Sequence, residues 1–194
     1  MARTKSGDKG AELRKAAVDE LAEYGLASAS VNRIAQRAGL SVGTLYRYYA
    51  NKDAIYRDAY LRLKAGLSEE MLGASKVSDT SEHKIRCALK GFAAHLLEYP
   101  RDVILMEAVA NSSILTAEDH QTVAQIDADL YALVNSGLKD GTLQPASPSA
   151  IAIMLLSPLI HTARRAALGG AQQESDLLEE IQEMCWRSVA AIDK

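Results

Sequence analysis

Tyr46, Arg47 and Tyr48 stand in a row in a chain of 194 residues, with Lys52 four positions beyond and the small residues Ser41, Val42, Gly43 and Thr44 just before. Arginine offers a planar fork of donors that can engage two acceptors at once, and lysine a mobile point charge. Tyrosine hydroxyls add donors on rigid rings that are costly to leave idle in water, and the small residues let another backbone come close. Nothing nearby pairs a nucleophile with a base, and the chain carries neither a nucleophile elbow nor a glycine-rich phosphate loop. The chemistry on offer is therefore recognition of an anionic surface rich in acceptors, not catalysis.

The elements that must position these groups lie between Ser30 and Lys52, SVNRIAQRAGLSVGTLYRYYANK. Ile34, Ala35 and Ala38 fall on one side of a short helix, which Ser30 is expected to cap with its side-chain oxygen and Gly39 to end in the left-handed conformation. Gly39, Leu40 and Ser41 form the turn. Ser41 caps a second short helix, in which Leu45 and Tyr49 face inward and leave Tyr46, Arg47 and Tyr48 outside. The pattern is that of a helix-turn-helix, whose second helix lies in the DNA major groove. On that reading Arg47 takes a guanine edge. Tyr46, Tyr48 and Lys52 hold phosphates. Val42 meets a thymine methyl, Thr44 a base or phosphate, and Ser41 and Gly43 admit close approach. At the first turn of the preceding helix, Ser30 and Asn32 reach a phosphate or base edge, with Arg33 beside them.

From Leu13 to Ile55 the sequence LRKAAVDELAEYGLASASVNRIAQRAGLSVGTLYRYYANKDAI resembles the DNA-binding domain of the TetR family of transcriptional repressors. It departs from the usual pattern at Ala22, where an aromatic residue is common, and at Ala50, where proline is. The resemblance implies a homodimer on a palindromic operator, released when a small molecule enters a pocket among helices five to eight and changes the separation of the two recognition helices. Helix side and chemistry make Phe92, His95, Leu96, Tyr99, Met106, Asn111, Tyr131, Met154 and His161 the candidate pocket walls. No cofactor is expected. His83, His95, His120 and His161 are scattered without an i,i+4 pair, so no metal site is expected either.

Composition points to an all-α fold. Alanine, leucine, glutamate, lysine and arginine dominate, apolar residues recur at three and four, and 48% hydrophobic content supports a sizeable core. The longest apolar run, near 151–160, is broken by Ser157 and Pro158 and too short to span a bilayer. No apolar leader follows Met1, so a cytoplasmic protein without membrane contact is expected. Cys87 and Cys185 are far apart and are expected reduced and buried. The net charge of -3 conceals an imbalance: residues 1–64 hold 12 Lys+Arg against 7 Asp+Glu, the remainder 10 against 18. A polyanion is drawn to the first part and repelled by the second.

About nine helices are expected. Residues 1–10 read as a flexible basic arm and 11–55 as the helix-turn-helix domain, its first helix running from Ala11 to Tyr24 and stopping at Gly25. Residues 56–72 read as a connecting helix and 73–194 as a helical ligand-binding and dimerisation domain entered through a polar linker from Gly73 to Ser81. The eighth helix, from Pro148, is apolar on nearly every side, which one layer of a small domain cannot bury, so a second copy is implied. Ile151, Leu155 and Leu159 with Leu177, Ile181, Met184 and Ile192 of the last helix are the expected four-helix interface. Two other classes compete: an enzyme, for which no motif speaks, and a helical adaptor whose helix-turn-helix docks protein, which salt dependence of binding would separate.

Overall fold

The computed structural model describes residues 8–76, 79–169 and 174–191. Among these the fold is all-α, with nine helices: α1 Lys9–Ser28, α2 Val31–Arg37, α3 Val42–Tyr48, α4 Lys52–Ser75, α5 Ser81–Glu98, α6 Pro100–Ala110, α7 Ala117–Lys139, α8 Pro148–Gly169 and α9 Glu174–Val189. Local chemistry explains most of the boundaries. The Leu40 N–H donates to the Ala35 carbonyl at 2.9 Å and the Gly39 N–H to that of Gln36 at 3.0 Å, closing α2 with Gly39 at φ 64°. Asn51 accepts from the Ala54 N–H at 2.9 Å and opens α4. Thr116 and Asp119 form a reciprocal capping box at the start of α7.

Two hydrophobic cores share two helices. One gathers Leu13, Leu21, Ile34, Leu45, Ile55 and Tyr56 under α1–α3 and takes Leu105 and Val109 from α6. The other packs Leu67, Met71, Leu89, Phe92, Leu159 and Trp186 among α4, α5, α8 and α9, and takes Val103 from α6. With 24 residues, α4 is roughly 36 Å long and runs through both. α4 and α6 therefore bind the N-terminal headpiece, α1–α3, to the larger body.

Several expectations change. α1 starts at Lys9, with Asp8 accepting from the Gly10 N–H at 3.0 Å, so residues 9 and 10 belong to a capped helix; residues 1–7 of the expected arm lie outside the described residues. Gly25 does adopt a left-handed φ of 73°, but the helix bends there and resumes to Ser28 instead of stopping. Of the linker expected from Gly73 to Ser81, residues 73–75 belong to α4 and Ser81 to α5, and residues 77 and 78 lie outside the described residues. Ser30 makes no side-chain cap on α2. α8 is not surrounded by apolar partners. Its Ile151, Leu155 and Leu159 enter the protein's own core, while Ile153 and Met154 are left 61% and 46% exposed.

Candidate nucleic-acid interface and internal cavity

α3 is anchored at both ends. Ser41 Oγ accepts from the Thr44 N–H at 3.1 Å and lies 2.9 Å from Thr44 Oγ1, so the two hydroxyls engage each other at the helix start. Leu45 is fully buried and plugs the headpiece core. Tyr49, just past the helix, donates its hydroxyl to Asp58 Oδ2 at 2.7 Å, and Arg14 Nη1 donates to both Asp58 Oδ2 and Tyr49 Oη at 3.1 Å. Burial, with the Asp58 hydrogen bond, pushes the Tyr49 phenol above its ordinary pKa, so it stays a donor at neutral pH. This Arg14–Tyr49–Asp58 triad fixes α3 against α1 and α4. The sequence reading missed it, since its members are 9 to 44 residues apart.

Held this way, α3 presents Tyr46 and Tyr48, 54% and 50% exposed, on either side of an exposed Arg47. None of the three has a hydrogen-bond or ion-pair partner among the described residues. Gly43 is exposed and Val42 half-buried at the helix start; Asn32 is exposed and Ser30 half-buried on the neighbouring α2.

Two expected contacts serve a different purpose. Arg33 donates from Nε to Glu20 Oε1 and from Nη2 to the Ser28 carbonyl, both at 2.6 Å, and its guanidinium lies over the Tyr24 ring. Glu20 is fully buried, accepts a second arginine through Arg37 Nε at 3.0 Å, and takes the Ser30 N–H at 3.1 Å. The anion-favouring N-terminus of α2 is thus already occupied, by a carboxylate from α1. One signal in the sequence pointed to this: Glu20 lies on the buried stripe of α1 with Leu13, Ala16 and Ala17, where an acid requires a cation. Lys52 corrects likewise. Its Nζ donates to the carbonyls of Leu26 at 2.9 Å, Ala29 at 3.2 Å and Ala27 at 3.4 Å, which the bend at Gly25 turns toward it. A cation in the first turn of α4 is compensated here by the carbonyl end of α1. Ion pairs from Arg57 to Asp119, Arg62 to Asp58 and Lys64 to Asp127 absorb more of the positive excess. Arg47 remains as a cation on α3 with no such tie among the described residues.

Between α4, α5, α6, α7 and α8 lies a cavity of about 170 Å³. Of the nine candidate walls Phe92, Met106 and Tyr131 line it, and so does Leu155, expected at an interface. The other six candidates lie elsewhere. His95 is held between Glu70, 3.0 Å from Nδ1, and Asp102, 3.1 Å from Nε2, with Tyr99 against its ring. Leu96 is in the core, Asn111 caps α6 by donating to the Glu107 carbonyl, and Met154 and His161 are on the exposed side of α8. Of the residues expected at the interface, Ile151, Leu155 and Leu159 are internal, Leu177 and Ile181 half-buried, Met184 60% exposed, and Ile192 outside the described residues. Cys185 is buried as expected; Cys87 is half-buried. Among the described residues no helix is long and apolar enough to cross a membrane, and no three acids, histidines or cysteines gather as metal ligands.

A family model for bacterial regulatory proteins of the tetR family matches residues 13–59, and one for the tetracyclin repressor-like C-terminal domain matches residues 62–191. The HTH-type transcriptional regulator RutR of Escherichia coli K12 is 26% identical over 175 residues, 87% of this chain and 80% of that protein. In fold, the chain is similar to a TetR family transcription regulator from Marinobacter aquaeolei VT8, with a TM-score of 0.84 at 24% identity over 95% of this chain and 96% of that one. It is also similar to the transcriptional regulator FadR from Bacillus subtilis, solved in complex with stearoyl-CoA, with a TM-score of 0.73 at 19% identity over 90% and 96%.

Proposed function

The chain belongs to the TetR family of bacterial regulatory proteins, and from that premise we propose that it is a cytoplasmic repressor that binds a palindromic operator as a homodimer and lets go when a small molecule fills its internal cavity. The observation that carries the DNA reading is the outward face of α3. Tyr46, Arg47 and Tyr48 are exposed and have no partner among the described residues, while Arg14, Arg33, Arg37 and Lys52 around them are all tied to internal partners. An exposed guanidinium between two tyrosine hydroxyls suits a groove, with the arginine on a base edge and the hydroxyls on phosphates. The dimer reading rests on Ile153, Met154 and Met184, large apolar side chains left in solvent on the last two helices.

Release follows from the shared helices. Met106 of α6 and Leu67 of α4 line the cavity, while Leu105 and Val109 of α6 and Ile55 and Tyr56 of α4 enter the headpiece core. A ligand that fits better when these helices separate shifts the population toward a state in which the two α3 helices no longer match successive major grooves, about 34 Å apart. FadR's complex with stearoyl-CoA lends support, since a protein of this fold takes up a small molecule.

Selection from random DNA tests the central claim. Arg47→Ala is expected to relax preference at one position in each half-site and cost about 1–3 kcal/mol against the selected sequence. Unchanged selection would remove Arg47 as the reader. Binding whose strength barely responds to salt would favour a protein partner at this face instead.

A further inference from the structure

Resting on the reading of the cavity as an effector site, we infer that the effector is a small, uncharged, mainly apolar molecule carrying one group that both donates and accepts a hydrogen bond, a hydroxyl or a carboxamide. Size comes first. A dry cavity of about 150 Å³ holds one benzene, so about 170 Å³ accommodates a single ring or a chain of about six to eight carbons. A longer acyl chain would have to run out of the cavity past Tyr131, which is 37% exposed at its rim.

The wall then sets polarity. Most of it is aliphatic or aromatic, and the polar side chains sit together where α4 meets α7: Lys64 and Ser68 one turn apart on the first helix, Asp127 and Tyr131 one turn apart on the second. Lys64 Nζ donates to Asp127 Oδ1 at 2.7 Å, which leaves this corner without net charge. Ser68 Oγ gives its proton to the Ile126 carbonyl at 3.1 Å and keeps its lone pairs free to accept.

Each ligand class meets this corner differently. A carboxylate would set two anions on one ammonium, and an amine two cations on one carboxylate. Either leaves an unbalanced charge beside apolar walls, which the solvent still reaching Lys64 and Asp127, 20% and 24% exposed, offsets only in part. A hydrocarbon would strip water from the free N–H groups of Lys64 and the lone pairs of Asp127 and replace none of it. A hydroxyl or carboxamide accepts from Lys64 and donates to Asp127 or Ser68, leaving the ion pair whole.

Calorimetric titration of the full chain with 1-heptanol, heptanamide, heptanoate, heptylamine and toluene tests this. The alcohol and amide are expected to bind at least about tenfold tighter than the acid, the amine and toluene. Leu89→Trp, which fills the cavity, abolishes heptanol binding in a chain that circular dichroism shows folded; Ala152→Phe serves if that variant does not fold. Lys64→Met combined with Asp127→Leu brings heptanol and toluene to within about twofold of each other. If the acid, the amine or toluene binds as tightly as the alcohol and the cavity-filling variant abolishes it, the ligand class is wrong while the cavity stands as the site. If no compound binds, or if filling the cavity changes nothing, the effector-site reading falls and this inference with it.

Discussion

Lys52→Met removes a charge while keeping the length of the side chain, and it separates two roles for the same residue. In the structure Nζ caps the end of α1 through three carbonyls, at 2.9, 3.2 and 3.4 Å. A hydrogen bond to a charged group contributes about 1.5–3 kcal/mol and a cation at a helix C-terminus about 0.3–1 kcal/mol. These do not add fully, because water can reach carbonyls at the exposed Ala27 once the ammonium is gone. A net loss of about 1.5–2 kcal/mol is expected, which in a chain of this size lowers Tm by about 3–8 °C. The measurement is a thermal melt beside a salt titration of operator binding. The capping role predicts the lower Tm with an unchanged slope of log K against log salt. A phosphate contact predicts a slope smaller by about 0.9 and little change in Tm. A melt within 1 °C of the parent together with the smaller slope would refute the capping assignment. Gly25→Ala is a companion test: the backbone at φ 73° and ψ 164° that aims these carbonyls is essentially reserved for glycine and costs about 1–3 kcal/mol for a residue with a Cβ, so Tm falls again.

Glu20→Gln keeps the volume but leaves Arg33 and Arg37 without their shared carboxylate. Since these arginines are 40% and 33% exposed and partly rehydrate, a loss of about 2–3 kcal/mol is expected in denaturant melts, and under about 0.5 kcal/mol would count against the network. The His95 pKa is raised, chiefly by the hydrogen bond to Asp102 and further by Glu70, against the opposing effect of burial. A folded-state value above the unfolded one means the proton binds the native state more tightly, so this stabilisation is complete below the ordinary histidine pKa of about 6.5 and is lost as pH rises through the higher folded value. Melts across that window should show the loss, and His95→Gln should flatten it; an identical profile in the variant would exclude His95 as the source. Met184→Asp places a charge on the outer face of α9 in each copy, and sedimentation should show a dimer weakened at least about tenfold. Unaltered dimerisation would move the interface elsewhere.

How much of this was legible in the sequence depended on the range of the interaction. The Gly39 closure of α2, the Ser41 cap, the turn between α2 and α3 and the outward placing of Tyr46, Arg47 and Tyr48 all follow from residues within one or two turns, and the structure has them where the sequence placed them. Helical period and capping chemistry act locally, so a single chain displays them. The same pattern could not say that Arg33 and Lys52 would turn inward, because their partners are 13 and 26 residues away and are reached only once α1 bends at Gly25 and packs on α2 and α4. Nor could it choose which side of an apolar α8 faces the protein's own core, or which three of nine candidates meet around one cavity, since five helices must converge before that space exists. An unpaired charge and a paired one read alike as letters. Packing alone brings the counter-group within about 3 Å, and so decides which cations hold the headpiece together and which, like Arg47, stay in solvent with no partner among the described residues.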